Sequence, residues 1–129
     1  MRLFFASLIA FLAFGAFSTV SAKQKQTITV KINNETSARN GFSVKFVELV
    51  EDSRCPRDTT CIWEGNAKIK VRVTKGGKSE ILELNSSLRN RPASFGGYYF
   101  RLTGLTPAPA SNIRINRNGY VATIEIRKK

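Results

Sequence analysis

The sequence predicts an all-β domain, a small antiparallel β-sandwich or barrel of about six to seven strands braced by one short-loop disulfide. Three observations carry that expectation. Apolar and polar residues alternate along several short runs, no window of a dozen residues shows a helical apolar stripe, and Gly, Pro, Asn and Ser cluster between the runs. Without helices to carry parallel crossovers, such strands pair antiparallel and close as two packed sheets or a small barrel.

Taken in order, the first element is a leader. Arg2 supplies a positive start, Leu3 to Phe17 is almost wholly apolar, and Val20-Ser21-Ala22 offers small residues for cleavage before the polar Lys23. Residues 1–22 therefore read as a signal peptide and 23–129 as a single exported β-domain, periplasmic or secreted. No cysteine lies near the expected cut to carry a lipid, and no other stretch is apolar enough to span a bilayer, so no membrane anchor is expected after cleavage.

Thr27 to Ile32 alternates cleanly and reads as the first strand. Phe42-Ser43-Val44-Lys45-Phe46 alternates in one phase while Val47, Leu49 and Val50 follow in the other, which predicts a bulge near Phe46 and Val47. Lys68 to Thr74 is the cleanest strand, with Ile69, Val71 and Val73 on one face and Lys68, Lys70 and Arg72 on the other. Lys75-Gly76-Gly77-Lys78 then sits at hairpin spacing before Ser79 to Leu84. Tyr98 to Leu102 and Tyr120 to Ile126 complete six strands, with a seventh short one near Ile113 to Ile115; Asn33 to Gly41, Asn85 to Gly97 and Thr106 to Asn112 read as loops.

Cys55 and Cys61 are the only cysteines, and in an exported chain two cysteines most simply pair. A zinc site needs about four Cys or His ligands, and this chain has two cysteines and no histidine, so no metal and no cofactor are expected. Cysteines so close in sequence do not bridge two sheets around a core tryptophan, so any immunoglobulin-like character is architectural only. Trp63, two residues beyond Cys61, is expected to lie over the bridge and close one end of the core, with ligand stacking as the alternative.

Asp52-Ser53-Arg54-Cys55-Pro56, Cys61-Ile62-Trp63-Glu64-Gly65-Asn66-Ala67, Tyr98 to Leu102, Leu105 to Pro109 and the closing Tyr120 strand together resemble a group of small exported bacterial proteins of uncharacterised activity. The likeness covers nearly all of residues 23–129. It implies a β-domain of the bacterial envelope or secretome, and it carries no activity and no site residues.

The absence of histidine removes Ser-His-Asp, Cys-His and histidine acid-base schemes together. Asp52, Asp58 and Glu64 are the only acids in a distinctive setting, and each has an ordinary reading as a turn-stabilising or solvated carboxylate, so no catalytic residue is assigned. The chain carries 21 bases against 9 acids, and removing Arg2 with the leader leaves +11. That field favours an anionic polymer (lipopolysaccharide, wall polymer or extracellular nucleic acid) or an envelope protein as partner. Lys68, Lys70, Arg72 and Arg101 are the candidate anion-binding residues, Arg101 joining the row if its strand neighbours the first. Arg54, Arg57 and Trp63 are candidate loop contacts. The function expected is a non-enzymatic binding or structural domain, the alternatives being a protease inhibitor presenting the Cys55 to Cys61 loop with Arg57 at its tip, and an enzyme of unknown type.

Overall fold

A computed structural model describes residues 15–16, 25–112 and 114–129. The expected signal peptide lies almost wholly outside the described residues, as does Ile113. No helix among the described residues is long and apolar enough to cross a membrane.

Among the described residues, eight strands form two four-stranded antiparallel sheets. They are β1 (Lys25–Lys31), β2 (Glu35–Ser37), β3 (Ser43–Asp52), β4 (Ala67–Lys75), β5 (Lys78–Asn85), β6 (Ala93–Phe95), β7 (Tyr98–Thr106) and β8 (Val121–Lys128). One sheet runs β1-β8-β7-β6 and the other β2-β3-β4-β5. Alternation explains how they meet: Val44 and Phe46 of β3, Ile69, Val71 and Val73 of β4, and Leu82 and Leu84 of β5 face Val30, Phe100, Leu102, Ala122, Ile124 and Ile126 in one buried core.

Turn chemistry fixes the register of two hairpins. Gly76 and Gly77 both take positive φ, 58° and 78°, giving the two-residue turn that seats Lys75 opposite Lys78, and Gly96-Gly97 repeats it between β6 and β7. The expected bulge is present, since the β3 register shifts between Phe46 and Glu48; a second shift follows between Leu49 and Glu51. Two strands lie where the sequence predicts loops, β2 and β6, each only three residues long and at a sheet edge. Conversely, Arg114 and Ile115 are not part of a strand.

The ends of the sandwich are closed differently. At one, Phe42 packs edge-on against Tyr98, Phe100 and Phe95 at 4.9, 5.5 and 6.4 Å. At the other, the chain leaves β3, makes the Cys55–Cys61 loop and returns at Gly65, whose φ is +71°. A Cβ there would stand 1.9 Å from the Ser53 carbonyl oxygen, so only glycine lets the two legs of the loop close on each other. Gly65→Ala is expected to destabilise the domain by about 2 to 5 kcal/mol, combining a strained φ with overpacking against backbone. Urea denaturation measures this, and a change below about 1 kcal/mol would show that the loop closes without that contact.

Candidate functional site

The disulfide forms as expected, with the Cα atoms of Cys55 and Cys61 5.9 Å apart. Its loop is a tethered turn. Thr59 N–H donates to the Pro56 carbonyl at 3.1 Å, leaving Arg57 and Asp58 as the central turn residues. Arg57 N–H donates to the Pro109 carbonyl at 2.9 Å, and Asp58 accepts from the Ser111 N–H at 3.1 Å and from the Ser111 hydroxyl. Those Ser111 bonds hold the Asp58 carboxyl below its ordinary range.

Arg54 is a candidate loop contact in the sequence, with a turn-stabilising pair to Asp52 as its ordinary alternative; the structure shows the pair and leaves Arg54 half-buried. Its Nε and Nη2 donate to the two Asp52 carboxylate oxygens at 2.7 and 2.8 Å. Nη1 donates to the Leu105 carbonyl, and Nη2 also reaches the Pro107 carbonyl at 3.0 Å. One guanidinium therefore ties the end of β3 to the end of β7, in the opposite sheet, with both charged side chains at least 85% covered (exposures of 15% and 12%). Burial raises the Asp52 carboxyl, but the bonds and charge of Arg54 and the Tyr120 hydroxyl outweigh it and hold it below its ordinary value. Burial, then the charge of Asp52, pushes the Tyr120 hydroxyl up.

Trp63 does not cover the bridge. It is 68% exposed, with the Arg89 guanidinium 5.7 Å above its ring, and its neighbour Ile62 is 95% exposed. The core at this end is already closed by Ala67, Leu105, Ala110 and Tyr120, so the indole has nothing left to fill. The acids are likewise dispersed: Asp52 serves Arg54, Asp58 serves Ser111, and Glu64 accepts from the Ser87 hydroxyl at 2.9 Å. Asp52 lines a cleft of about 610 Å³ along Val47–Asp52, where β3 runs on past β2, and Glu64 lines a separate one of about 490 Å³ beside Trp63. Asp52, Asp58 and Glu64 therefore do not share one cleft, each being engaged by a neighbouring side chain.

The strand faces differ most in charge. Lys68, Lys70 and Arg72 do point outward from β4, but register gives them acidic neighbours: Lys70 stands between Glu48 and Glu83, and Lys68 opposite Glu51. Arg72 has Lys45 on one side, and Lys45 in turn faces Glu35. Four bases and four acids thus share the outer face of the β2-β3-β4-β5 sheet. Arg101 cannot extend the row, because β7 belongs to the other sheet and Arg101 projects from the far side of the molecule.

On that far side the balance is uneven. Lys25 and Lys31 of β1, Arg127 of β8 and Arg101 of β7 occupy outward positions, with Glu125 the one acid among them. Lys25 lies directly opposite Arg127, a like-charge pairing, and reaches diagonally to Glu125 at 3.2 Å. Arg127 is opposite Tyr99, over whose exposed ring the Lys129 ammonium lies at 5.4 Å. The alternation Lys25-Thr27-Thr29-Lys31 was a readable signal for part of this patch; the pairing that assembles it was not. Comparison of the chain with known protein families, curated proteins and solved structures gave no match.

Two outcomes check these placements. Trp63→Ala is expected to cost less than about 1 kcal/mol, as an exposed substitution does, and a loss of about 3 kcal/mol or more would return the indole to the core. Because the Asp52 carboxyl is held down in the fold, the stability it contributes is complete above its ordinary value of 3.8 and drains as pH falls through the lower folded value. Thermal melts between about pH 5 and pH 2 should therefore fall less steeply for Asp52→Asn than for the unaltered protein, and parallel curves would contradict the linkage.

Proposed function

We propose that the protein is an exported, non-enzymatic binding domain that engages anionic polymers across the outer face of its β1-β8-β7 surface. The observation that carries this reading is the division of charge between the two faces. Among the described residues, five bases (Lys25, Lys31, Arg101, Arg127, Lys129) surround one acid on this face, whereas the opposite face is balanced four against four. Neighbouring strands lie about 4.8 Å apart and same-face residues about 7 Å apart along a strand, so the bases form a two-dimensional array that a repeating polyanion can bridge.

The Lys25–Arg127 pairing adds support, because like charges set directly opposite weaken a sheet and an anionic ligand relieves them. Export rests on the leader-like residues 1–22 and fits the disulfide. The protease-inhibitor reading loses ground on geometry: a substrate-like loop presents an extended backbone with free N–H and C=O groups, while Arg57 lies in a tight turn with its N–H bonded to Pro109.

Retention on immobilised heparin tests the proposal. Arg101→Glu with Arg127→Glu is expected to lower the eluting salt far more than Lys68→Glu with Lys70→Glu, although both pairs remove the same charge. By the counterion-release relation, each base that contacts the polymer contributes about one unit to the slope of log affinity against log salt, so the first pair should flatten that slope by about 2. Equal effects would reduce retention to net charge, and the reverse ranking would move the site to β4.

A further inference from the structure

The three most exposed large apolar side chains among the described residues are Ile62, Leu88 and Trp63, at 95%, 79% and 68%. They belong to two loops that touch. Ser87 donates to Glu64 at 2.9 Å, the Arg89 guanidinium lies over the Trp63 ring, and Ile62, Trp63, Ser87 and Arg89 line one cleft. All three residues therefore cluster at one end of the sandwich, the end where β3 and β7 finish and β4 and β8 begin. Isolated exposed apolar residues need no explanation, whereas a cluster of three with a tryptophan does.

The surroundings favour an anionic lipid surface over a protein. Arg57, Arg89, Arg91, Arg114 and Arg117 are exposed in the loops of this end, and the two acids in the same loops, Asp58 and Glu64, already hold Ser111 and Ser87. An apolar tip with Arg89 against it and further arginines in the loops of the same end matches the layering of a membrane interface, with acyl chains beneath phosphates, and tryptophan prefers that level. We propose that this end of the domain docks on anionic membranes, with Ile62, Trp63 and Leu88 entering the headgroup region while the flanking arginines meet lipid phosphates. The site is separate from the β1-β8-β7 face and stands or falls independently of it.

Trp63 is the sole tryptophan, so its fluorescence reports on the tip directly. Vesicles of phosphatidylcholine containing about one-third phosphatidylglycerol should shift Trp63 emission to the blue, and brominated acyl chains should quench it; pure phosphatidylcholine should do far less. Ile62→Ser with Leu88→Ser should weaken partitioning by about tenfold or more while the melting temperature and heparin retention stay unchanged. Arg101→Glu with Arg127→Glu should leave the blue shift in place, which separates this site from the sheet face. Vesicle binding with Trp63 emission unmoved would overturn the proposal in favour of adsorption through the sheet. Absence of any association with anionic vesicles at low salt would overturn it as well, leaving the cluster to a protein partner, and so would a melting temperature lowered by the serine variant.

Discussion

Cross-strand register is the constraint on which both the core and the surface chemistry depend. A strand's own alternation decides only which side chains point outward, and the neighbours decide what those side chains meet. In β4 the register sets Glu48, Glu51 and Glu83 against Lys68 and Lys70, so two of the three bases in the most conspicuous basic run of the sequence stand beside acids. In β8 the same rule sets Arg127 between Lys25 and Tyr99, gathering charge that is scattered along the chain at positions 25, 101 and 127. The Gly76-Gly77 and Gly96-Gly97 turns and the bulges of β3 fix that register, so local backbone chemistry sets the electrostatics of whole faces.

The second organising contact is the Arg54 guanidinium, which joins the two sheets at the loop-rich end. It satisfies two carbonyls at the end of β7 while pairing with Asp52, leaving none of these groups stranded. With that end locked, and the Cys55–Cys61 turn held to residues 109–111 by Arg57 N–H and Asp58, the Ile62-Trp63 segment projects from a rigid base. Gly65 completes the arrangement by letting the returning leg press against Ser53. The paired carboxylates and the half-buried guanidinium are therefore spent on architecture, which is why the cysteine turn acts as a scaffold while the residues that follow it contribute exposed surface.

Much of the fold was legible because period-two patterning is a local property. The six long strands, the Lys75–Lys78 hairpin, the bulge after Phe46 and the cysteine pairing all follow from residues close together in sequence. β2 and β6 escaped because three residues carry too little alternation to register, and their identity comes from pairing with β3 and β7. The candidate site was legible only in part, for the same reason. Nothing in the β4 sequence shows which strands flank it, Arg101 lies on the opposite sheet from Lys68, and Arg54 finds Leu105 across fifty-one positions of chain. Trp63 departs from the expectation set by its place beside the disulfide because Ala67, Leu105 and Tyr120 already fill the core at that end.

The central claim is that charge is partitioned by face, with anion affinity on the β1-β8-β7 surface. A residue-resolved titration of the isotope-labelled protein with a short sulfated oligosaccharide, followed by amide chemical shifts, addresses it most directly. The account predicts saturating shifts clustered at Lys25, Lys31, Tyr99, Arg101 and Arg127, with the β4 amides of Lys68, Lys70 and Arg72 nearly unmoved. Shifts centred on β4, or on Arg57 and the Cys55–Cys61 turn, would contradict it.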